Sequence, residues 1–467
     1  APAAPTALAV TAGYGQVDVA FTPGVTKGSA ITGYQVSADD GATWQPATTG
    51  VNPTTVTVSG LANGRAYPLR LRAVNAAGPG VSSAAVTATS KGAVFTALAP
   101  TRVYDSRTAG AGGALAAGAP RTISVAANNA VPQGAVAVAY NIAAADTRGS
   151  GYLAVAPGGT SSIPATSSLN WSNAGEVVAN GFTVGVNSER SIAVFGGGIG
   201  STQFVVDIVG FYAPETVTPA GSVFVPIDPA RAYDSRSAGQ TALPVGSSRQ
   251  VSVAAGGKVP ANATGVAYNL TETDTAGAGF LSVAPGGQSK PAVSTINWNG
   301  NQTMANSTTV GVTNGAISVF AGGSGSAHFI VDVVGYFVPA ASAPQGARFT
   351  ATAPVRTYDS RQASGPLTGG TGRITPVSTR DIVPAGAVAV AANLTQTGTV
   401  GVGYLAVAPG RASGPPPTSA INWTGDQTLA NGMLLKSGAT PEVSVYAGPS
   451  SQGVGANYIM DVSGYFI

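Results

Sequence analysis

A block of about 115 residues occurs three times in this chain, and that recurrence fixes its organisation before any strand is assigned. Each copy opens with an Arg-x-Tyr-Asp-Ser-Arg string: Arg102 to Arg107, Arg231 to Arg236 and Arg356 to Arg361. Each closes with an aspartate followed by a glycine and two aromatics: Asp207 to Tyr212, Asp332 to Phe337 and Asp461 to Phe466. The opening aspartates Asp105, Asp234 and Asp359 are spaced 129 and 125 residues apart (234 − 105; 359 − 234). A period of that length is too long for a solenoid and fits whole domains in tandem. Repeated domains serve reach, multivalency or architecture. A single catalytic pocket does not need three copies of itself.

The boundaries follow. A distinct segment occupies residues 1–90, and the copies occupy 95–214, 222–339 and 347–467. Each is long enough to bury a core. Hydrophobic residues make up 44% of the 467 positions and charged residues 9%, against about 25% charged in ordinary domains. Such a composition, rich in Gly, Thr, Ser and Val, suits an all-β extracellular protein. Turn residues recur every 8–12 positions between short apolar runs, with no helical periodicity. Four tandem β-sandwiches are expected, one immunoglobulin-like and three of jelly-roll type, with the opening and closing strands of each copy paired.

Several function classes are excluded or disfavoured. There is no cysteine, so there is no thiol catalysis, disulfide or Cys-bound zinc. The net charge of +3 is scattered, with no basic run for nucleic acid. No apolar run reaches the ~18 residues of a membrane span. The start, Ala1-Pro2-Ala3-Ala4-Pro5, is the kind of end left by signal cleavage or a cut linker, and with the composition it points to export. No sorting motif follows the last strand. Surface attachment is therefore expected to be non-covalent, or the chain is part of a longer one. His328 is the only histidine, and the five glutamates do not recur at matching positions, so neither a Ser-His-Asp triad nor a repeated carboxylate pair is expected. No Asp-x-Asp-x-Asp loop supports calcium. Neither a metal nor a cofactor is expected, and the chain reads as non-catalytic. The lysines Lys27, Lys91, Lys258, Lys290 and Lys436 lie at non-equivalent places, which fits badly with Lys–Asn cross-links.

Three repeated elements could carry chemistry. The Arg-x-Tyr-Asp-Ser-Arg string (Arg102, Asp105, Arg107; Arg231, Asp234, Arg236; Arg356, Asp359, Arg361) could hold a sugar hydroxyl or an anion, since Arg offers a rigid donor fork. The alternative, which is favoured, is a structural ion pair. The second element is Asn-Trp: Asn170-Trp171, Asn297-Trp298 and Asn422-Trp423. An exposed Trp stacks on a sugar face while the neighbouring amide bonds its hydroxyls, but a Trp in an apolar strand also serves as core. The third is a mid-strand asparagine, Asn141, Asn269 and Asn393, where Asn is disfavoured. It either satisfies a buried backbone group or faces a ligand. The closing Asp207, Asp332 and Asp461 sit in apolar strands and need partners, for which an opening-strand Arg is the obvious choice.

The first segment resembles a fibronectin type III domain. Pro5, Ile31-Thr32-Gly33-Tyr34, Leu61, Tyr67 and Val74-Asn75-x-x-Gly78 carry the resemblance, with Phe21 where Trp is common. It implies a spacer and makes Tyr67 a corner tyrosine whose hydroxyl bonds the backbone. The three copies resemble a tandem β-domain of exported proteins from high-GC Gram-positive bacteria, for which no activity is established. The expected function is an exported, non-catalytic surface or adhesive protein whose repeats bind a polysaccharide or cell-wall glycan multivalently. Two alternatives stand beside it: a structural subunit of a surface layer or filament that self-assembles, and the accessory region of a larger secreted hydrolase.

Overall fold

The computed structural model describes residues 1–47, 53–118, 120–379, 382–449 and 453–467. The chain is all-β and forms two compact units. Ala1–Ala93 make up the first, together with Pro214–Thr216 and Ile467. The second comprises Val94–Ala213 and Val217–Phe466. The three copies thus share one compact body. Among the described residues no helix is long and apolar enough to cross a membrane.

The first unit is a sandwich. One sheet pairs Thr6–Gly13 with Gln16–Thr22 and Thr55–Ser59. The other is built on Ile31–Ser37 and Ala66–Asn75. Strict alternation in Gln16–Thr22 and Ala66–Asn75 sends Val17, Val19, Phe21, Leu69, Leu71 and Ala73 to one side, and these form the core with Tyr34 and Val36. Phe21 lies 4.8 Å from Tyr34, filling the place where a Trp is common. The Tyr67 hydroxyl accepts the Ala62 N–H at 2.9 Å, so the corner tyrosine is present.

Each copy in the second unit has eight common strands in two sheets, and the third adds the two-residue strand Leu367–Thr368 beside its closing strand. In the first copy they are Val94–Asp105, Arg121–Ser124, Ala137–Ala145, Gly151–Pro157, Leu169–Trp171, Val178–Gly185, Ser191–Gly198 and Gln203–Ala213. Numbered one to eight, they pair in the orders 1-8-3-6 and 2-7-4-5. The same two orders recur in the copies that begin at Ser222 and Phe349. These are the two interleaved Greek keys of a jelly roll. Opening and closing strands pair in every copy, as expected from the sequence.

Two features explain the motifs. The glycine that opens strand four (Gly151, Gly279, Gly403) faces the indole of strand five: a Cβ there would stand 2.4–2.5 Å from Trp171, Trp298 or Trp423. The glycine of the closing motif (Gly210, Gly335, Gly464) faces an opening-strand phenyl ring: a Cβ would stand 2.2–2.4 Å from Phe95, Phe224 or Phe349. Those phenyls and the closing aromatics Tyr212, Phe337 and Phe466 form a closed circle of six rings. Neighbouring centroids lie 4.3–5.0 Å apart, and each copy supplies two rings. Close aromatic pairs at this spacing add to the stability given by burial.

Strands three and six are buried along almost their whole length. One face covers the copy's own second sheet and the other meets the neighbouring copies. Strand three therefore reads Ala-Val-Ala-Tyr-Asn-Ile-Ala-Ala-Ala with little alternation, the pattern of a strand covered on both faces.

Candidate functional site: the seams between copies

At each seam two buried asparagines meet. Asn141 in strand three of the first copy accepts from the Asn306 side-chain amide of the second at 2.9 Å, and it donates to the Ser294 carbonyl at 3.0 Å. Asn269 of the second copy does the same with Asn431 (3.0 Å) and the Ser419 carbonyl (2.9 Å) of the third. Asn393 of the third turns back to Asn180 (2.9 Å) and the Ser167 carbonyl (2.7 Å) of the first. The strand-six asparagines then accept backbone N–H groups from the preceding copy. Gly181 donates to Asn306, Ser307 to Asn431 and Gly432 to Asn180, each at 2.7 Å. The bonds run from copy one to two, two to three and three to one, so the cluster is a closed pseudo-threefold ring and not a string. All six asparagines are at most 4% exposed. Asn141, Asn269 and Asn393 thus take the backbone-satisfying option, in a neighbouring copy, and are not positioned to face a ligand.

The Asn-Trp element is also reassigned. Trp171, Trp298 and Trp423 are 1–2% exposed, so no indole face is open to stack on a sugar. Each packs on the strand-four glycine, which is why that glycine recurs. Trp171 donates to the Gly149 carbonyl at 2.9 Å and Trp423 to that of Val400 at 3.4 Å. The neighbouring asparagines Asn170 and Asn297 remain partly exposed, and Asn422 is buried.

The opening string forms an alternating chain of charge. Arg107 grips Asp105 through Nε and Nη2 at 2.9 and 2.8 Å. Arg102 grips buried Asp207 at 2.9 and 3.2 Å, with Nη1 3.7 Å from Asp105. Arg236–Asp234–Arg231–Asp332 and Arg361–Asp359–Arg356–Asp461 repeat it. The Arg107 hydrogen bond holds Asp105 below the usual carboxylate range, and Arg361 does so for Asp359. The Arg236 bond holds Asp234 at about 2. Burial pushes Asp207, Asp332 and Asp461 up, against the pull of their arginine partners. The inner pair of each chain ties strand one to strand eight, while Arg107, Arg236 and Arg361 stay about half exposed.

These half-exposed arginines border the seams. Between copies one and two lies a cleft of about 410 Å³ that Arg102 and Arg107 share with Phe280, Lys290 and Asn297. A cleft of about 240 Å³ between copies three and one places Arg356 and Arg361 with Tyr152 and Asn170. In the seam between copies two and three, Arg231 donates to the Pro417 carbonyl at 3.5 Å, and Lys436 pairs with Asp228 at 2.7 Å. Two of the sequence candidates, the Arg string and the Asn of Asn-Trp, are thus brought together, but from adjacent copies. The aromatic of strand four, Tyr152, Phe280 or Tyr404, was missed. Its signal is an aromatic after the strand-four glycine in all three copies.

Residues 3–89 match the fibronectin type III domain family. The first unit is a fibronectin type III domain. No curated protein matches the chain. Among solved structures, the three fibronectin domains of chicken CNTN1 align with 14% identity over 71% of this chain and 99% of theirs, with a TM-score of 0.18. The Sulfolobus turreted icosahedral virus aligns with 9% identity over 80% of this chain and 91% of that one, with a TM-score of 0.15. A structure with a xylogluco-oligosaccharide aligns with 11% identity over 100% of this chain and 99% of that one, with a TM-score of 0.12. All three scores lie far below those of a shared overall fold. The fibronectin type III domain fits an extracellular adhesive or structural role.

Proposed function

We propose that this chain is an exported, non-catalytic bacterial surface protein whose ring of three jelly rolls binds a glycan polymer at the seams between copies. The observation that carries the reading is the repeated composition of the two open clefts. Each joins a forked arginine and its partner from one copy to an aromatic ring and an amide from the next. An aromatic face suits the apolar face of a sugar, and guanidinium and amide groups suit its hydroxyls. Sites on one rigid body engage one polymer with the gain of avidity. The non-catalytic part is supported by the carboxylates. Asp105 is held ionised by Arg107, so it is not poised as a proton donor.

Edge-to-edge assembly into a filament is less well supported. The exposed edge strands Arg121–Ser124, Ser248–Ser252 and Gly372–Pro376 are four or five residues long and carry Arg121, Arg249 and Arg373, and short charged edges resist pairing. The test is retention of the full chain on cellulose, xylan and cell-wall sacculi, with Tyr152→Ala and Phe280→Ala beside the parent. Retention lost in the variants at an unchanged thermal transition supports the reading. Absence of retention on every polymer sinks it.

A further inference from the structure

The two open clefts differ in charge. Three cations, Arg102, Arg107 and Lys290, line the cleft between copies one and two, and three carboxylates, Asp105, Asp207 and Asp146, act on the two arginines. Asp105 and Asp207 are bound to the arginines, none of the three carboxylates lines the cleft, and Lys290 is the lining cation that the other cleft lacks. The Lys290 ammonium lies 4.6 Å over the Phe280 ring, and Lys290 has no carboxylate partner among the described residues. Arg107 bonds Asp105 through Nε and Nη2, which leaves Nη1 without a hydrogen bond among the described residues. The buried Asn297 amide nitrogen, beside the same cleft, also lacks a partner among the described residues. In the cleft between copies three and one, Arg356 and Arg361 are balanced by Asp359 and Asp461. The position of Lys290, just before the proline of the loop, is Ile163 in the first copy and Pro415 in the third.

We infer that the cleft between copies one and two is a subsite for an anionic glycan unit, while the cleft between copies three and one takes neutral sugar. This rests on the glycan reading above. Lys290, placed by the Phe280 ring it lies over, supplies the unpaired positive charge to the anion, and Nη1 of Arg107 adds a second donor. The anion is a carboxylate on a uronic acid or a phosphate in a polyol-phosphate chain, since both accept the same donors.

The experiment compares the full chain with Lys290→Ile, which installs the first copy's residue at an exposed position and spares the core. Binding is measured to polygalacturonate, poly(glycerol phosphate) and neutral xylan at two salt concentrations. Affinity of the parent for one acidic polymer should fall about tenfold in the variant, roughly what one charge-assisted bond contributes. That affinity should also depend less on salt in the variant, with xylan binding unchanged. The polymer that responds identifies carboxylate or phosphate. Equal binding of an acidic polymer by both chains overturns the subsite, and so does retention of xylan alone, which leaves the glycan reading standing. If no polymer is bound, both are overturned.

Discussion

The fibronectin unit and the jelly-roll ring bury their sheets with different materials. In the first, alternating strands send Val17, Val19, Phe21, Leu69 and Leu71 into one apolar core. In the second, each copy has such a core of its own, and the surfaces between copies are closed by six buried asparagines and a circle of six aromatic rings. Apolar packing is tolerant of partner, whereas a buried amide is not, because each unmet donor or acceptor costs about 1–3 kcal/mol. The asparagines therefore select one relative placement of the three copies, which apolar contact alone would leave loosely defined. Buried polar groups fix register in this way elsewhere.

The largest expected effect follows from that difference. Asn306→Leu removes the bond to Asn141, strands the Gly181 N–H and strands the Thr295 carbonyl. The ring should lose roughly 3–6 kcal/mol, while the fibronectin unit should be untouched. Calorimetry should show one transition move down and another stay. If both move together, the contrast between the units is wrong. Phe95→Ala opens the aromatic circle at a buried site and should lower the same transition by about 3–5 kcal/mol.

Much of this contrast could be read from the sequence within a copy and little of it between copies. The sandwich class, the jelly-roll type, the pairing of first and last strands and the Arg102–Asp207 partnership follow from motifs whose ends must meet. The ring does not, because Asn141–Asn306, Asn269–Asn431 and Asn393–Asn180 join residues 165, 162 and 213 apart. A repeat says that the three asparagines are alike, not which copy each faces. The tryptophans misled for a related reason. Asn-Trp looks like a sugar platform until Gly151, Gly279 and Gly403 are seen to be small so that the indole can lie on them.

A further effect sharpens the comparison through pH. Glu272 is fully buried in the second copy, at the place held by Ala144 in the first and Gln396 in the third. Burial pushes its carboxyl up from 4.5 to about 9. The folded state keeps the proton where the unfolded chain has lost it. The contribution is thus fully present below pH 4.5 and declines as pH rises from 4.5 to about 9, by up to about 1.4 kcal/mol per pH unit. Glu272→Gln should flatten this slope in the ring's unfolding transition and leave that of the fibronectin unit unchanged. An unchanged slope in the variant would place the titration elsewhere.

The smallest expected effect separates the two ends of the charge chain. Asp234 is held at about 2 by half-exposed Arg236, so its contribution is present above its ordinary value of 3.8 and is lost as pH falls through about 2. Solvent screening at Arg236 limits it to less than about 1 kcal/mol. Arg236→Gln should therefore barely move the ring's stability at neutral pH. Arg231→Gln, which strands buried Asp332, should cost several times more, because an uncompensated charge in the interior is the expensive one. The ratio of the two losses is the informative quantity. A large ratio makes the inner pair a structural tie and leaves the outer arginine available to the seam. A ratio near one would bind both arginines into the same structural role and remove the half-exposed fork on which recognition at the seams depends.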